Sequence, residues 1–193
     1  ASDVYKRQEE TDTVQVGKKI LQGKQTQKVL AFYKPVGVTC TERDPHAEKK
    51  IMDMIRYPER LTYAGRLDKD SEGLILLTND GDLINAMMRG ANRHEKEYIV
   101  KTDREITPDF LEKMAKGIYL KDLDITTREC EIEQIGKFTF RIVLTQGVNR
   151  QIRRMCEACG YRVKALKRIR IMNILLGDLK PGKWREVTGE ELE

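Results

Sequence analysis

The sequence predicts an α+β fold built on a central mixed, largely antiparallel β-sheet that is flanked by helices. Apolar runs with the alternation of strands outnumber the runs with helical spacing. The helical runs are short and lie at irregular intervals between the strands, which is typical of an antiparallel or mixed sheet. With 193 residues, of which 39% are hydrophobic and 35% charged, the chain is long enough for one globular domain or one domain plus a fragment.

The sequence of the first half of the chain predicts three strands and two helices. The run KVLAFYKPVGV, residues 28–38, predicts a strand that enters a turn at its proline and glycine. Residues 48–56 have apolar side chains at helical spacing and predict a short helix. The stretches RLTYAG and GLILLTND predict two strands on either side of a polar loop, and DGDLINAMMR begins with acidic residues that suit a helix N-terminus.

In the second half, the best-marked element is a helix that begins after Thr107. Threonine suits the N-cap position, Pro108 suits the first helical position, and Gly117 lies just beyond the last turn. A final helical turn is predicted by the capping-box spacing of Thr188 and Glu191. Three further stretches have the pattern of strands: EKEYIVKTD, FTFRIVLTQG and YRVKALKRIRIMNILL.

Positive charge is concentrated in one segment. The whole chain has a net charge of +5, but residues 150–170 contain eight basic residues and one acidic residue, a net charge of +7. Such a density predicts a polyanion partner, with a solvated basic face as the alternative. The eight basic residues are Arg150, Arg153, Arg154, Arg162, Lys164, Lys167, Arg168 and Arg170.

The sequence argues against a membrane protein and against secretion. No apolar run approaches the ~18–20 residues that a membrane helix needs, and the first ten residues lack the apolar core of a signal peptide. Four cysteines in a chain of this size suit a reducing compartment. We therefore expect a cytoplasmic protein without a membrane partner.

A calcium loop is one interpretation of the polar loop. Asp68, Asp70 and Gly73 match the first, third and sixth positions of an EF-hand loop. The twelfth position is Asn79, which cannot supply a bidentate carboxylate, and the flanking segments have strand patterns instead of helical ones. We therefore expect no metal at this loop.

The pair Cys156 and Cys159 has the spacing of zinc or redox motifs. Both cysteines also fall on one apolar helix stripe with Ile152 and Met155. No second pair completes a four-cysteine site, so the sequence favours a core position for these two cysteines.

A catalytic carboxylate is the other interpretation of the polar loop. Asp68 follows a predicted strand, and Arg66 lies two residues before it. A nearby guanidinium favours the ionised form that a nucleophile or a base requires. By chemistry alone, an ordinary surface turn remains the alternative.

The loop and four other stretches, taken together, closely resemble the pseudouridine synthases of the RsuA and RluB/E/F type. The resemblance covers residues 28–193 and is most similar to the RluF branch, which acts on large-subunit ribosomal RNA. The five stretches occur in the family's order: FYKPVGVTC, GRLDKDSEGLILLTNDGDL, HEKEYIV, TQGVNRQIRRMCEACGY and GKWREVT.

The resemblance implies a pseudouridine synthase fold with an active-site cleft, and an isomerase that needs no cofactor and no metal. Asp68 would enable cleavage of the bond between uridine N1 and C1′, either by attacking the sugar or by removing a proton from it. Tyr98 would pack against the target base, and Ile152 would form an apolar wall beside it. Arg153 would form the ion pair that keeps Asp68 charged.

The resemblance also implies an RNA partner, which four basic side chains would contact. Arg66 would lie beside the flipped nucleotide, and Lys96 is a candidate for phosphate contact. Arg150 and Arg154 would bind the surrounding RNA. The alternative is a non-catalytic RNA-binding or ribosome-assembly protein on the same scaffold, and nothing in the sequence suggests more than a monomer.

Members of the family carry an N-terminal S4-type RNA-binding domain, and here only the stretch TVQVGKKI resembles its end. Residues 1–27 are therefore predicted to be a remnant of that domain plus a linker, and residues 28–193 the catalytic domain. We expect such a chain to retain the reaction and to bind RNA more weakly than a full-length homologue.

Overall fold

A computed structural model of the chain describes residues 27–40, 51–89 and 94–192. The described strands are β1 (Val29–Lys34), β2 (Thr62–Ala64), β3 (Glu72–Thr78), β4 (Lys96–Thr102), β5 (Tyr119–Leu120), β6 (Ile125–Thr126), β7 (Glu131–Gly136), β8 (Thr139–Leu144), β9 (Val163–Ile171), β10 (Ile174–Leu175) and β11 (Trp184–Glu186). The described helices are α1 (Ile51–Met54), α2 (Gly81–Met88), α3 (Pro108–Lys116), α4 (Gln151–Ala158) and a final 3₁₀ turn (Glu190–Leu192).

The chain divides into two compact units. The larger unit spans Leu30–Leu77 and Gly81–Glu193 and contains every described helix. The smaller unit spans Ala1–Val29 and Thr78–Asp80. Within it, the Thr78 hydroxyl donates a hydrogen bond to the Lys28 carbonyl at 2.8 Å. Most of residues 1–27 lie outside the described residues, so the predicted S4 remnant stays a prediction.

Nine of the described strands form one mixed sheet in the order β11-β1-β3-β9-β4-β8-β7, with β10 paired to β9 and β2 paired to β3. The pairs β9–β4, β4–β8, β8–β7 and β11–β1 are antiparallel, and β9–β3 is parallel. The predicted α+β class with a mixed, largely antiparallel sheet is therefore confirmed. Every stretch with a predicted strand pattern contains a strand.

The sequence patterns missed the short and the solvent-facing strands. Strand β7 at the sheet edge is mostly exposed, and its alternation between polar and apolar residues ends after the first three positions. The two-residue strands β5 and β6 form a separate small sheet. Strand β11 is only half-buried, and its Trp184 lies edge-on to Tyr57 with the ring centroids 5.4 Å apart.

Local capping sets the ends of α3 as predicted. The Thr107 hydroxyl accepts a hydrogen bond from the Phe110 amide at 3.1 Å, Pro108 is the first helical residue, and Gly117 caps the C-terminus. These contacts satisfy backbone groups that would otherwise lack partners at the helix ends. Thr188 and Glu191 also bond to each other's backbone amides, so the predicted capping box is confirmed.

Two hydrophobic clusters support the sheet. One cluster packs α3 and α4 against strands β4, β8 and β9, and it includes Phe110, Phe140 and Met155. The other joins β1 and β3 to α1. The partly buried side chain of Leu67 packs against both clusters. The loop that follows β2 is therefore held by packing on two sides.

The parallel contact between β9 and β3 requires a glycine. Gly73 pairs with Arg168 and has φ +114°, a conformation that favours glycine. A Cβ atom at this position would lie 2.2 Å from the Arg168 carbonyl oxygen. The two strands can approach each other only because residue 73 has no side chain.

We predict that Gly73→Ala lowers the free energy of unfolding by about 3 kcal/mol or more, because the new methyl group meets backbone and the φ angle is strained. Urea unfolding measures this loss. Gly81→Ala is the matched control, because a Cβ at Gly81 meets nothing within 4 Å, and it should change stability by less than about 0.5 kcal/mol. Equal effects of the two variants would contradict the prediction.

Candidate active site

A cleft of about 590 Å³ opens beside the loop between β2 and β3. This volume lies within the ~300–1,000 Å³ that is common for small-molecule sites. The cleft brings together residues from the loop, from β4 and from the start of α4. Seven of the eight sequence-predicted site residues line it: Arg66, Asp68, Lys96, Tyr98, Arg150, Ile152 and Arg153.

Asp68 lies in the loop with its carboxylate at the cleft surface. Its side chain is 35% exposed, and Oδ2 lies 3.4 Å from Nη1 of Arg150. The Ser71 amide donates a hydrogen bond to the Asp68 carbonyl at 3.1 Å, which fixes the backbone of the turn. The carboxylate is thus accessible to a ligand while one cation lies beside it.

Arg150 connects two carboxylates at the cleft. Its two terminal nitrogens donate to the two carboxylate oxygens of Asp70 at 3.1 and 3.0 Å, in addition to the contact with Asp68. The guanidinium bonded to Asp70 lowers the pKa of that carboxyl group. Arg150 precedes α4 and has a left-handed backbone with φ 52°, which is uncommon for a residue other than glycine.

The predicted ion pair between Arg153 and Asp68 differs from the observed contacts. Nη2 of Arg153 donates to the Asp70 carbonyl and to the Ser71 hydroxyl, both at 3.0 Å, and it lies 3.6 Å from a carboxylate oxygen of Asp70. The ion pair of Asp68 is made by Arg150. Both arginines reach the loop, and a sequence motif does not tell which of them contacts Asp68.

Arg153 has one donor that its contacts with the described residues leave unpaired. Its Nε atom is buried and has no hydrogen-bond partner within the described part of the chain. A buried donor without a partner is costly in a folded protein and is frequently completed by a ligand or water. Arg153 lines the cleft, but its Nε is buried behind the surface that a ligand could reach.

Two apolar side chains form the interior wall of the cleft. Tyr98 on β4 is 9% exposed, and Ile152 on α4 is 4% exposed. The guanidinium carbon of Arg168 lies 6.0 Å from the centre of the Tyr98 ring. A flat aromatic ring beside an aliphatic side chain suits the face of a planar base.

Two basic side chains on the cleft wall have no hydrogen-bond or ion-pair partner among the described residues: Arg66, which is exposed, and Lys96, which is half-buried. Burial, and to a lesser extent the positive charge of Arg168, lowers the pKa of Lys96. Both side chains are available to an anionic ligand.

Arg154 lies outside the cleft. It donates hydrogen bonds to the carbonyl and the side chain of Asn149 at 2.9 and 3.2 Å. The segment 150–170 is also less uniform than its sequence suggests, because Arg168 is 2% exposed and Arg170 bonds to Glu97 and Glu95. Not all of its +7 charge is therefore open to solvent.

Sequence reasoning missed three buried polar side chains that hold the cleft together. Lys34 is fully buried, and its ammonium donates to the carbonyls of Pro35, Val38 and Lys69. Cys40 exchanges hydrogen bonds with the backbone of Leu67 at 3.1 and 3.4 Å. The third is Arg168. Lys34 and Cys40 stand in the family-like stretch FYKPVGVTC, but its pattern does not show that they bond to the loop backbone. Arg168 is one of eight basic residues in its segment, and no local pattern distinguishes it from the others.

The described residues contain no group of three or more His, Cys, Asp or Glu side chains that could hold a metal ion. Cys156 is buried in the helix stripe with Ile152 and Met155, and Cys159 packs against the same cluster. The predicted core position of both cysteines is confirmed. Nowhere in the described ranges is a helix both long and apolar enough to span a bilayer.

Comparisons with known proteins agree on one family. The family model described as RNA pseudouridylate synthase matches residues 28–158. The dual-specificity RNA pseudouridine synthase RluF of Escherichia coli strain K12 is 44% identical over 183 residues, which cover 94% of this chain and 62% of RluF. The ribosomal large subunit pseudouridine synthase B of Vibrio cholerae is 35% identical over 169 residues, covering 83% of this chain and 51% of that protein.

The fold has a solved counterpart. The crystal structure of a pseudouridylate synthase superposes with a TM-score of 0.81 at 28% identity, covering 86% of this chain and 73% of the other. The chain spans less than two thirds of the length of RluF.

Lys34 should make stability depend on pH. Burial lowers its pKa from 10.5 to about 8 in the folded state. Between these two values the unfolded chain holds the proton more tightly, so the free energy of unfolding gains a contribution that rises with pH. The Lys34→Met variant lacks this contribution. Wild type should therefore gain stability relative to Lys34→Met as the pH rises from about 8 to 10.5, and urea unfolding across this range would show it. A constant difference would contradict the prediction.

The two partners of Arg153, Ser71 and Asp70, should contribute different amounts to the free energy of unfolding. Ser71 is 2% exposed, and Ser71→Ala leaves the buried arginine with one acceptor fewer. We expect a loss of about 1–3 kcal/mol in the free energy of unfolding. Asp70→Asn breaks a half-exposed ion pair and should cost less than about 1 kcal/mol. Chemical denaturation of both variants tests the order, and a larger loss for Asp70→Asn would show it to be wrong.

Proposed function

Because the chain belongs to the RNA pseudouridylate synthase family, we propose that it converts a uridine of large-subunit ribosomal RNA to pseudouridine. The observation that carries the proposal is the position of Asp68. Its carboxylate is accessible at a cleft of about 590 Å³, with Arg150 3.4 Å away on one side and the apolar wall of Tyr98 and Ile152 within the same cleft.

The reaction rearranges one nucleoside without adding or removing any group. The bond between N1 and C1′ breaks, the uracil turns, and a new bond forms between C5 and C1′. C5 then loses its hydrogen as a proton, and N1 ends with one proton. No redox step occurs, so the chemistry needs a carboxylate that assists at the sugar and a pocket that retains the free base.

Asp68 is the carboxylate that assists cleavage of the N1–C1′ bond. Arg150 places a positive charge 3.4 Å from this carboxylate. Tyr98 packs against the uracil, and Ile152 limits the pocket beside it. An enclosed apolar wall keeps the detached base from escaping before it rejoins the ribose.

The target nucleotide must leave its helix or already be unpaired, since a loop carboxylate cannot reach a glycosidic bond inside a stack. Arg66 contacts the flipped nucleotide, and Lys96 contacts a phosphate. Both have the unused donors that such contacts require. Arg153 supports the loop beside the same substrate through the Asp70 carbonyl and the Ser71 hydroxyl. Arg154 acts outside the cleft, on the surrounding RNA.

The names of the similar proteins support ribosomal RNA of the large subunit as the substrate class. Ribosomal RNA places the reaction in the cytoplasm, where the four free cysteines remain reduced. We propose that the chain acts there as a monomer, without a cofactor.

Tritium release from RNA that carries [5-³H]uridine tests the proposal, because forming the new bond must expel the hydrogen of C5. Wild type should release tritium from a large-subunit transcript. Asp68→Ala should release it at least about 10⁴-fold more slowly while keeping its fold, because the variant lacks the group that assists bond cleavage.

Asp109→Ala is the matched control, since Asp109 is an exposed carboxylate whose ion-pair partner is Lys113 on the same helix. This variant should release tritium at the wild-type rate. If wild type and Asp68→Ala both bind the transcript and neither releases tritium, the non-catalytic RNA-binding interpretation replaces the enzyme. Equal release by both would show that Asp68 is not the catalytic carboxylate.

A further inference from the structure

We propose that Arg168 is a positioning residue that fixes the loop carrying Asp68. This inference rests on the proposed role of Asp68. Arg168 lies in β9 between β3 and β4, its side chain is buried, and it forms part of the cleft wall. Its backbone pairs with Gly73 on one side and with Tyr98 on the other.

The guanidinium bonds to the backbone on both sides of Asp68. Nη2 donates to the carbonyl of Gly65 at 2.6 Å, and Nη1 lies 3.5 Å from the carbonyl of Arg66. Nε donates to the carbonyl of Leu74 at 2.8 Å. The first two carbonyls precede the catalytic loop and the third follows it, so one planar side chain joins the two ends of the loop.

The surroundings of Arg168 are unusual for a residue that only stabilises a fold. The side chain is 2% exposed, and no carboxylate of the described residues lies within 4.0 Å of it. A buried cation that lacks an acidic partner is costly. The exposed sides of the sheet show the ordinary arrangement, where Arg141 and Arg170 each bond to glutamates.

Carbonyl oxygens replace the missing carboxylate for a chemical reason. An acidic partner beside the loop would add another negative charge to those of Asp68 and Asp70, whereas carbonyls satisfy the donors without adding net charge. The arginine geometry matters as well, because its rigid fork reaches three separate acceptors. A lysine has one nitrogen and cannot bridge the same three carbonyls.

The effect of Arg168 on the reaction should appear in kcat. We would measure tritium release with Arg168→Lys and Arg168→Met, and with Arg141→Met as the matched control. Arg141 lies on the neighbouring strand β8 and outside the cleft, and it bonds to Glu97, Glu131 and Glu133. Both Arg168 variants should lose at least about 100-fold in kcat, because a shift of the carboxylate by about 1 Å has effects of this size.

The KM for RNA should stay within about threefold of wild type, because Arg168 does not bind the nucleotide. Arg141→Met should keep the wild-type kcat.

Wild-type kcat in Arg168→Lys would overturn the inference, since charge alone would then suffice. A loss confined to KM, or the failure of both Arg168 variants to fold, would overturn it too. If Arg168→Met alone fails to fold, Arg168→Lys decides. No release by wild type refutes the proposed function instead.

Discussion

The backbone contact between Gly73 on β3 and Arg168 on β9 is the constraint on which the cleft depends. The two strands approach so closely that a single Cβ atom would lie 2.2 Å from a carbonyl oxygen. This approach places the Arg168 side chain under the loop, where it reaches the carbonyls of Gly65 and Leu74. The parallel pair β9–β3 thus connects the strand that follows Asp68 to β9, whose other neighbour β4 carries Tyr98.

The buried side chains of Lys34, Cys40 and Arg168 beside the loop bind backbone instead of acids. Lys34 donates to three carbonyls, and Cys40 exchanges hydrogen bonds with Leu67. The acceptors Leu67 and Lys69 flank Asp68. The acceptors Pro35 and Val38 lie in the turn after β1, whose Gly37 amide donates to the Lys69 carbonyl. Since backbone carbonyls carry no net charge, the loop is held firmly while Asp68 keeps its freedom to contact a ligand. Packing of Leu67 against both hydrophobic clusters adds a further restraint.

Some cationic side chains at the cleft are paired with carboxylates, and others are available to bind an anionic ligand. Arg150 shares its guanidinium between Asp70 and Asp68, whereas Arg66 and Lys96 have no partner in the described ranges. The available cations lie beside the accessible carboxylate, where a nucleotide with its phosphate would meet both. Attraction of the proposed RNA substrate therefore depends on the positions of a few side chains more than on the total of +5.

The sequence by itself determined the α+β class, the strand stretches, the capped helix α3 and the apolar stripe that buries Cys156, because each depends on neighbours a few residues away. The motifs also selected the residues that line the cleft. Only the tertiary structure decided that Arg150, and not Arg153, contacts Asp68, and that Arg168 is buried beneath the loop. These contacts join residues about 80 to 100 positions apart in the chain, and no local pattern encodes which of several arginines in one segment will reach a loop so distant in sequence.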